Sequence, residues 1–251
     1  MDLLESDAKI DINNWYYYSK FRISLKMLTA KGVWTSSSAN NNILADIGAG
    51  SGVFTRAFLK AFNAPGKKAY AIDKNYKKED LGIHNDILFC KELPEGVKPS
   101  YFFLMDVLEH VENDIDFLSK WVETAPPGTI FLFTAPASKR LWSDHDLYLK
   151  HKKRYSLKEL EKVISVSGLI VLKAHYFYAT IYPFVFLKRK IIEPLLKKFG
   201  VFFSQGIKPF NSLNNFFLKT ILKIETMICH FNRLFGLTCL VIAIKKENIG
   251  S

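Results

Sequence analysis

The chain has 251 residues, 49% of them hydrophobic, and a formal net charge of +11, and a chain of this size buries a core without disulfide or metal staples. Its three cysteines, Cys90, Cys229 and Cys239, are scattered and form no CxxC pair, which excludes a zinc ribbon or a paired disulfide framework and suits a reducing, cytoplasmic setting. Met1-Asp2-Leu3-Leu4-Glu5-Ser6-Asp7 carries acid where a signal peptide has a basic start, and the longest nearly uncharged stretch, 174–187, has 14 residues where a membrane-spanning helix needs about 20.

The charge is uneven, with residues 1–137 summing to −2 and residues 138–251 to +13. A basic second half points to an anionic partner (a membrane surface, a phosphorylated substrate or a nucleic acid) unless it is only a solvated face.

No repeat, low-complexity tract or Gly/Ser linker divides the chain, so 1–251 reads as one domain. Trp15-Tyr16-Tyr17-Tyr18-Ser19-Lys20-Phe21-Arg22 opens a predicted helix to about residue 28. Its aromatic cluster is either core packing or part of an N-terminal helical lid, 1–42, over a site. From Ile43 onward short apolar runs alternate with helical patterns, the signature of βαβ units. Strands are predicted at 43–47, 69–73, 87–90, 101–105 and 129–134, with helices over about 53–62 and 114–124. The continuous apolar run Tyr101-Phe102-Phe103-Leu104-Met105 fits a central parallel strand. The interval 91–100 leaves little room for a helix. After the polar segment 136–155, Ser156-Leu157-Lys158-Glu159 is a capping box opening a helix to about residue 167. Gly168 ends that helix, and 169–172 and 237–244 read as the last two strands. Between them, 178–236 forms a basic, aromatic helical insertion.

Asp46-Ile47-Gly48-Ala49-Gly50-Ser51-Gly52 is the most informative run. A buried strand ends in Asp, and three glycines follow at alternate positions. Glycine lets the backbone turn sharply and approach a ligand closely, and the following helix offers its first N–H groups to an anion such as a carboxylate. Asp73 ends the second predicted strand, where an acid can accept both hydroxyls of a ribose. The dinucleotide pattern GxGxxG calls for Gly or Ala at 53, where Val53 stands. The bland alternative is a tight strand–helix turn with no ligand.

These residues resemble the class I S-adenosylmethionine-dependent methyltransferases. Asp46 to Gly52 is similar to the family's first motif, and Asp73 to its ribose-binding acid. His84-Asn85-Asp86-Ile87 resembles the place where an acid meets the adenine amine. Met105-Asp106-Val107-Leu108-Glu109-His110-Val111 resembles the fourth-strand motif of the ubiquinone-biosynthesis-like branch. The resemblance implies an α/β fold: a Rossmann-like, mostly parallel seven-stranded sheet with an antiparallel last strand, helices on both faces and a helical insertion before that strand. It implies S-adenosyl-L-methionine as cofactor, held by Asp46, Gly48, Ala49, Gly50, Gly52, Asp73, Lys74, Asp86, Ile87, Met105, Asp106 and Val107.

Ligands of open α/β sheets bind beyond the carboxyl ends of the strands, so the segment after the fifth strand is the predicted acceptor wall. Leu141-Trp142-Ser143-Asp144-His145-Asp146 followed by His151-Lys152-Lys153-Arg154-Tyr155 resembles a motif of methyltransferases from bacterial surface-polysaccharide clusters, as do 15–22, Glu225 and Gly236. Trp142, Asp146, Arg154 and Tyr155 are the candidate acceptor-binding residues, and the planar fork of Arg154 suits a phosphate or carboxylate. A hydroxyl acceptor must lose its proton, and His145, His110 and His151 are the candidate bases, set against ordinary structural histidines. No Cys/His spacing is convincing for a metal, and none is expected; His145-Asp146 with His151 is the remote exception.

In the insertion, Ile181-Tyr182-Pro183-Phe184-Val185-Phe186-Leu187 runs into Lys188-Arg189-Lys190. Aromatic and apolar residues beside cations suit an anionic membrane surface. Phe217, Ile221, Ile224 and Ile228 form a second amphipathic stripe; packing on the sheet edge or a dimer interface explains both equally. The function expected is methylation of a hydroxyl or similar group of a small-molecule, saccharide or lipid-linked glycan acceptor, by a cytoplasmic protein that can sit peripherally on the inner face of the membrane. Alternatives are an RNA methyltransferase and a non-catalytic cofactor-binding scaffold; Met105-Asp106-Val107-Leu108 lacks the Asn-Pro-Pro-aromatic signature of adenine methylation, and nucleic acid is the less favoured partner.

Overall fold

The computed structural model describes residues 11–34, 43–62, 67–200, 212–228 and 231–246. Parts of the expected lid (1–10 and 35–42) and of the insertion (201–211 and 229–230), together with Cys229, lie outside the described residues.

Eight strands form one sheet in the order β3-β4-β2-β1-β5-β6-β8-β7. Its parallel centre is β4 (Ile87–Cys90), β2 (Lys68–Ile72), β1 (Ile43–Ile47), β5 (Tyr101–Met105) and β6 (Ile130–Pro136). β8 (Thr238–Lys245) inserts antiparallel between β6 and β7 (Leu169–Phe177). All seven predicted strands are present, and the last is antiparallel. The addition is β3 (Gly82–His84), which pairs antiparallel with β4 through the two-residue turn Asn85-Asp86. Both turn residues have positive φ, 50° and 66°, the backbone that Asn and Asp tolerate best in tight hairpins.

Alternation along the strands divides the core into two faces. Leu44, Tyr101, Phe103, Leu132, Leu240 and Ile242 pack beneath α1 (Trp15–Ala30), α2 (Val53–Ala61) and α8 (Ser212–Ile228). Ala45, Phe102, Leu104, Phe131, Phe133, Val241 and Ala243 pack against α3 (Asp114–Thr124) and α5 (Leu157–Val166). α5 begins at the predicted capping box, with Ser156 N–H donating to Glu159 Oε2 at 2.8 Å and Glu159 N–H to Ser156 Oγ at 3.2 Å. No helix forms in 91–100.

The polar segment after β6 folds into a short helix, α4 (Asp144–Tyr148), which the sequence pattern did not show. The insertion starts with α6 (Tyr182–Leu187), continues through a π-turn at 188–192 into α7 (Glu193–Lys198), and resumes as α8. The stripe on α8 faces outward, with Phe217, Ile221 and Ile224 exposed. Its inner face carries Leu222, Glu225 and Thr226 instead, since α8 docks on α1: Trp15 N–H donates to Asn215 Oδ1 and Lys26 Nζ to the Thr226 carbonyl.

Candidate active site

The glycine loop leaves β1 at the carboxyl edge of the parallel strands. Gly48, Gly50 and Gly52 all have positive φ (66°, 53° and 71°), a backbone that costs a side-chain-bearing residue about 1–2 kcal/mol. Space makes a separate demand, because a Cβ on Gly48 would lie 2.7 Å from Val107 Cγ2 and one on Gly52 2.8 Å from the Phe89 ring. The end of β5 therefore presses directly on the loop.

Asp73, buried at the end of β2, ties this edge together. Its Oδ2 accepts from Gly50 N–H at 3.1 Å and its Oδ1 from Asn75 N–H at 2.9 Å, while Tyr76 Oη donates to the Gly50 carbonyl at 2.7 Å. Ser51 Oγ is buried in the loop without a hydrogen-bond partner among the described residues. A loop that curls around an acid and leaves a buried hydroxyl unsatisfied fits a polar ligand with a diol. Asp46 turns away from this edge: its Oδ2 accepts from Thr55 Oγ1 at 2.5 Å, and burial pushes its carboxyl up to about 6.

Beyond β5 the backbone turns through Asp106, at φ 57°. Thr134 Oγ1 donates to Asp106 Oδ1 at 3.0 Å, and Lys20 Nζ of α1 donates to Asp106 Oδ2. Lys20 is fully buried and also donates to Tyr16 Oη at 2.6 Å. Burial alone would raise the Asp106 carboxyl, but the Lys20 ammonium outweighs it and holds the group below the usual carboxylate range. Tyr16 stacks on Tyr178 at 5.5 Å, with Trp15 edge-on to both, so α1 lays an aromatic wall beside this ion pair.

The next turn carries Glu109, fully buried, with neither carboxylate oxygen partnered among the described residues. Burial first, and then the Asp106 carboxylate, push its carboxyl up to about 8. Across from it lies His151, whose ring is 4.9 Å from that of His110. Backbone hydrogen bonds from Lys152 N–H to the Glu109 carbonyl (2.7 Å) and from His151 N–H to the Asp146 carbonyl (2.9 Å) clamp this loop in place. Tyr155 Oη, donating to the Leu108 carbonyl and Asp114 Oδ2, fastens it from below. Asp146 Oδ1 receives His151 Nδ1 at 2.9 Å and Arg154 Nε at 2.7 Å. Although burial opposes ionisation, these donors keep the Asp146 carboxyl well below its ordinary range. An ionised Asp146 accepts from His151 Nδ1, which selects the tautomer whose lone pair is on Nε2.

Of the sequence-predicted residues, Gly48, Ala49, Gly50, Gly52, Asp73, Met105, Asp106 and Val107 come together at one edge, with Lys74 exposed just beyond Asp73. Asp86 and Ile87 do not. β2 and β4 are in register with Ala69 opposite Ile87 and Ile72 opposite Cys90, so Cys90, whose carbonyl accepts from Asp73 N–H at 3.1 Å, is the residue level with Asp73. Asp86 lies in the hairpin turn at the far end of the sheet. His110, His151 and Asp146 converge; His145 and Trp142 lie on and before α4, half-buried. Arg154, expected to meet an anion, and Tyr155, expected to line the acceptor wall, are buried with their polar atoms turned inward, Arg154 Nη1 onto the Ala137 carbonyl. Sequence reasoning did not single out Lys20, Glu109 or Thr134. The Glu109-His110 pair beside a strand-ending acid was the available signal.

No family model and no curated protein matches this sequence. Solved structures share the fold. A protein assigned as a sarcosine dimethylglycine methyltransferase from Galdieria sulphuraria matches with a TM-score of 0.55 at 14% identity, over 92% of this chain and 86% of that one. Phosphoethanolamine N-methyltransferase 2 from Haemonchus contortus, in complex with S-adenosyl-L-methionine, matches with a TM-score of 0.51 at 16% identity, over 89% of this chain and 52% of that one. The [4+2]-cyclase SpnF matches with a TM-score of 0.53 at 13% identity, over 90% and 80%. The likeness is one of fold, and that fold carries more than one reaction.

Proposed function

We propose that this protein is an S-adenosyl-L-methionine-dependent methyltransferase that acts on a hydroxyl or similar group of a small-molecule or saccharide acceptor. The observation that carries the reading is the glycine loop folded onto Asp73, with the loop's amide already bonded to one carboxylate oxygen. The cofactor supplies an electrophilic methyl group on a sulfonium. Asp73 would accept from the ribose hydroxyls, the loop backbone would approach the amino-acid end, and Cys90, level with Asp73, would border the adenine side. Asp106 is held by Lys20 and Thr134, so the turn after β5 is rigid where the methyl group is presented. Rigid alignment and exclusion of water are most of what such a transfer asks of a protein. The acceptor proton leaves toward the Glu109, His110 and His151 cluster, where His151 is oriented by Asp146 as a base requires.

The cyclase with this fold and the basic second half keep a scaffold and an RNA methyltransferase in view. The test has two parts. Calorimetry with S-adenosyl-L-methionine and with NAD should show binding of the first alone. Incubation with hydroxylated saccharide acceptors should give a product heavier by one methyl group. Cofactor binding without turnover on any acceptor would favour the scaffold, and turnover on RNA alone would favour the other alternative.

The same reading extends to a lipid-linked glycan presented at the inner face of a membrane. Phe184, Ile191, Leu195 and Phe199 of the 182–199 segment, and Phe216, Phe217, Ile224 and Met227 of α8, are all exposed, and apolar rows of this kind suit the headgroup boundary. The cations contribute less than their number suggests. Arg189 and Lys190 donate to the Leu141 and Trp142 carbonyls, Lys197 to Asp144, and Lys188 lies 3.6 Å from Glu193. Among the described residues, no helix is long and apolar enough to cross a membrane.

A further inference from the structure

We infer that Glu109, His110 and His151 form a binding site for a divalent transition-metal cation at the carboxyl edge of β5. One ligand atom from each of the three lies within 4.8 Å of the others, although the residues come from two separate loops. Two features make this more than proximity. Glu109 is 1% exposed, yet both of its oxygens lack a partner among the described residues, and a buried carboxylate left this way is costly unless something fills the space. His151, meanwhile, has the support that metal-bound histidines receive: Nδ1 bonded to the Asp146 carboxylate at 2.9 Å, which fixes the ring and turns Nε2 outward.

Ligand chemistry narrows the ion. Two imidazoles and one carboxylate suit Mn²⁺, Fe²⁺, Co²⁺ or Zn²⁺ over Ca²⁺ or Mg²⁺, which prefer all-oxygen shells. Three protein ligands leave open positions for a substrate oxygen. Neighbouring ligands at about 2.1 Å from a tetrahedral ion are roughly 3.4 Å apart, so binding would draw a pair at the 4.8 Å limit together by up to about 1.4 Å. The loops are already clamped by the Lys152 and His151 amides, so that closure falls to side-chain rotation. Sequence spacing gave no hint of it, because the imidazole that completes it arrives from the loop after α4. In the methyl-transfer reading, an ion here would replace His151 as the device that removes the acceptor proton, by binding the hydroxyl and easing loss of its proton to solvent, since His151 Nε2 would then be a ligand and not a base; the binding itself does not depend on that reading.

The test uses the full chain, stripped with chelator and titrated separately with MnCl₂, CoCl₂ and ZnCl₂ by calorimetry, with Co²⁺ absorption as a second readout. One equivalent should bind. Glu109→Gln and His151→Ala should each weaken binding at least about tenfold, and Asp146→Asn about 10–100-fold, the usual effect of losing the outer partner of a metal-bound histidine. Glu112→Gln, a surface acid nearby, should bind as the unaltered chain does. Absence of stoichiometric binding by all three ions, or binding unchanged in both Glu109→Gln and His151→Ala, would overturn the proposal. Melting curves identify any variant that fails to fold. S-adenosyl-L-methionine affinity, measured on the same samples, separates failure of the metal site from failure of the methyltransferase reading.

Discussion

Replacing Asp73 with Ala tests the cofactor edge most directly, because the structure separates what the side chain does for the fold from what it would do for a ligand. Within the protein, its carboxylate accepts from the buried Gly50 N–H and from the Asn75 N–H. Asn75 is exposed and water can replace its acceptor, but Gly50 is buried, so its stranded N–H should cost about 1–3 kcal/mol of stability. Toward a ligand, two ribose hydroxyls donating to an ionised carboxylate are worth roughly 1.5–3 kcal/mol each, less what water returns. Taking about 3 kcal/mol in total, affinity for S-adenosyl-L-methionine or S-adenosylhomocysteine should fall about 100-fold.

Calorimetry on the folded variant gives the affinity, and denaturant unfolding gives the stability. Asp73→Asn, which keeps one acceptor oxygen, should fall between the two. Asp86→Ala is the matched control: it also removes an acid from the adenine-side motif, but from the far end of the sheet, and should leave affinity within about twofold. A folded Asp73→Ala that binds as tightly as the unaltered chain would refute the reasoning. A large loss in Asp86→Ala would refute the strand register from which it proceeds.

Three further outcomes are expected. Gly48→Ala should destabilise by about 1–2 kcal/mol for its left-handed backbone plus about 1–3 kcal/mol for the contact with Val107; urea unfolding in a Val107→Ala background should show the second part largely removed. Asp46 holds its proton more tightly folded than unfolded, up to about 6 against an ordinary 3.9, so its contribution to stability is present at low pH and declines as pH rises between those values. Asp46→Asn, which keeps an acceptor for Thr55, should abolish that part of the decline, worth about 2–3 kcal/mol, and equal melting shifts for both proteins between pH 4 and 7 would contradict it. Finally, with most cations of 182–199 paired internally, vesicle binding should rest on apolar insertion and persist at about 0.5 M salt, where surface charges are screened within a few ångströms. Co-sedimentation lost at that salt would return the role to charge, and no recovery from any vesicle would leave the exposed faces as protein contacts.

The sheet was legible from sequence because its central strands are apolar on both faces and its helices are amphipathic on one. Such patterns are local and repeat every two or three to four residues. What failed was each place where position depends on an element too short to carry a period. β3 has three residues, and overlooking it left His84-Asn85-Asp86 placed against the adenine amine by resemblance alone. In the fold it is the turn of a hairpin, which carries Asp86 away from the edge that the motif seemed to give it. For α8 periodicity found a real stripe and left its side open; the apolar residues exceed what one buried stripe needs, and Phe217, Ile221 and Ile224 face outward, where packing on the sheet edge does not reach them.

The site divides along the same line. Its proposed cofactor half is contiguous in sequence, since a loop that must turn at Gly48, Gly50 and Gly52 leaves its signature where the turn occurs, and Asp73 follows at the end of the neighbouring strand. Its proposed acceptor half is assembled by tertiary contact. Lys20 reaches Asp106 from a helix on the sheet's other flank, and nothing local distinguishes it from the surface lysines around it. Glu109 and His110 follow β5, whereas His151 follows β6 and the short α4; they meet because β5 and β6 are adjacent parallel strands whose loops emerge at one edge. That adjacency also explains why Asp146, Arg154 and Tyr155 point inward. A loop carrying a base or a metal ligand has to be held from behind, and those three side chains hold His151 against the turn that carries Glu109. Three residues that looked like acceptor contacts by type and proximity, Asp146, Arg154 and Tyr155, are thus the support for His151.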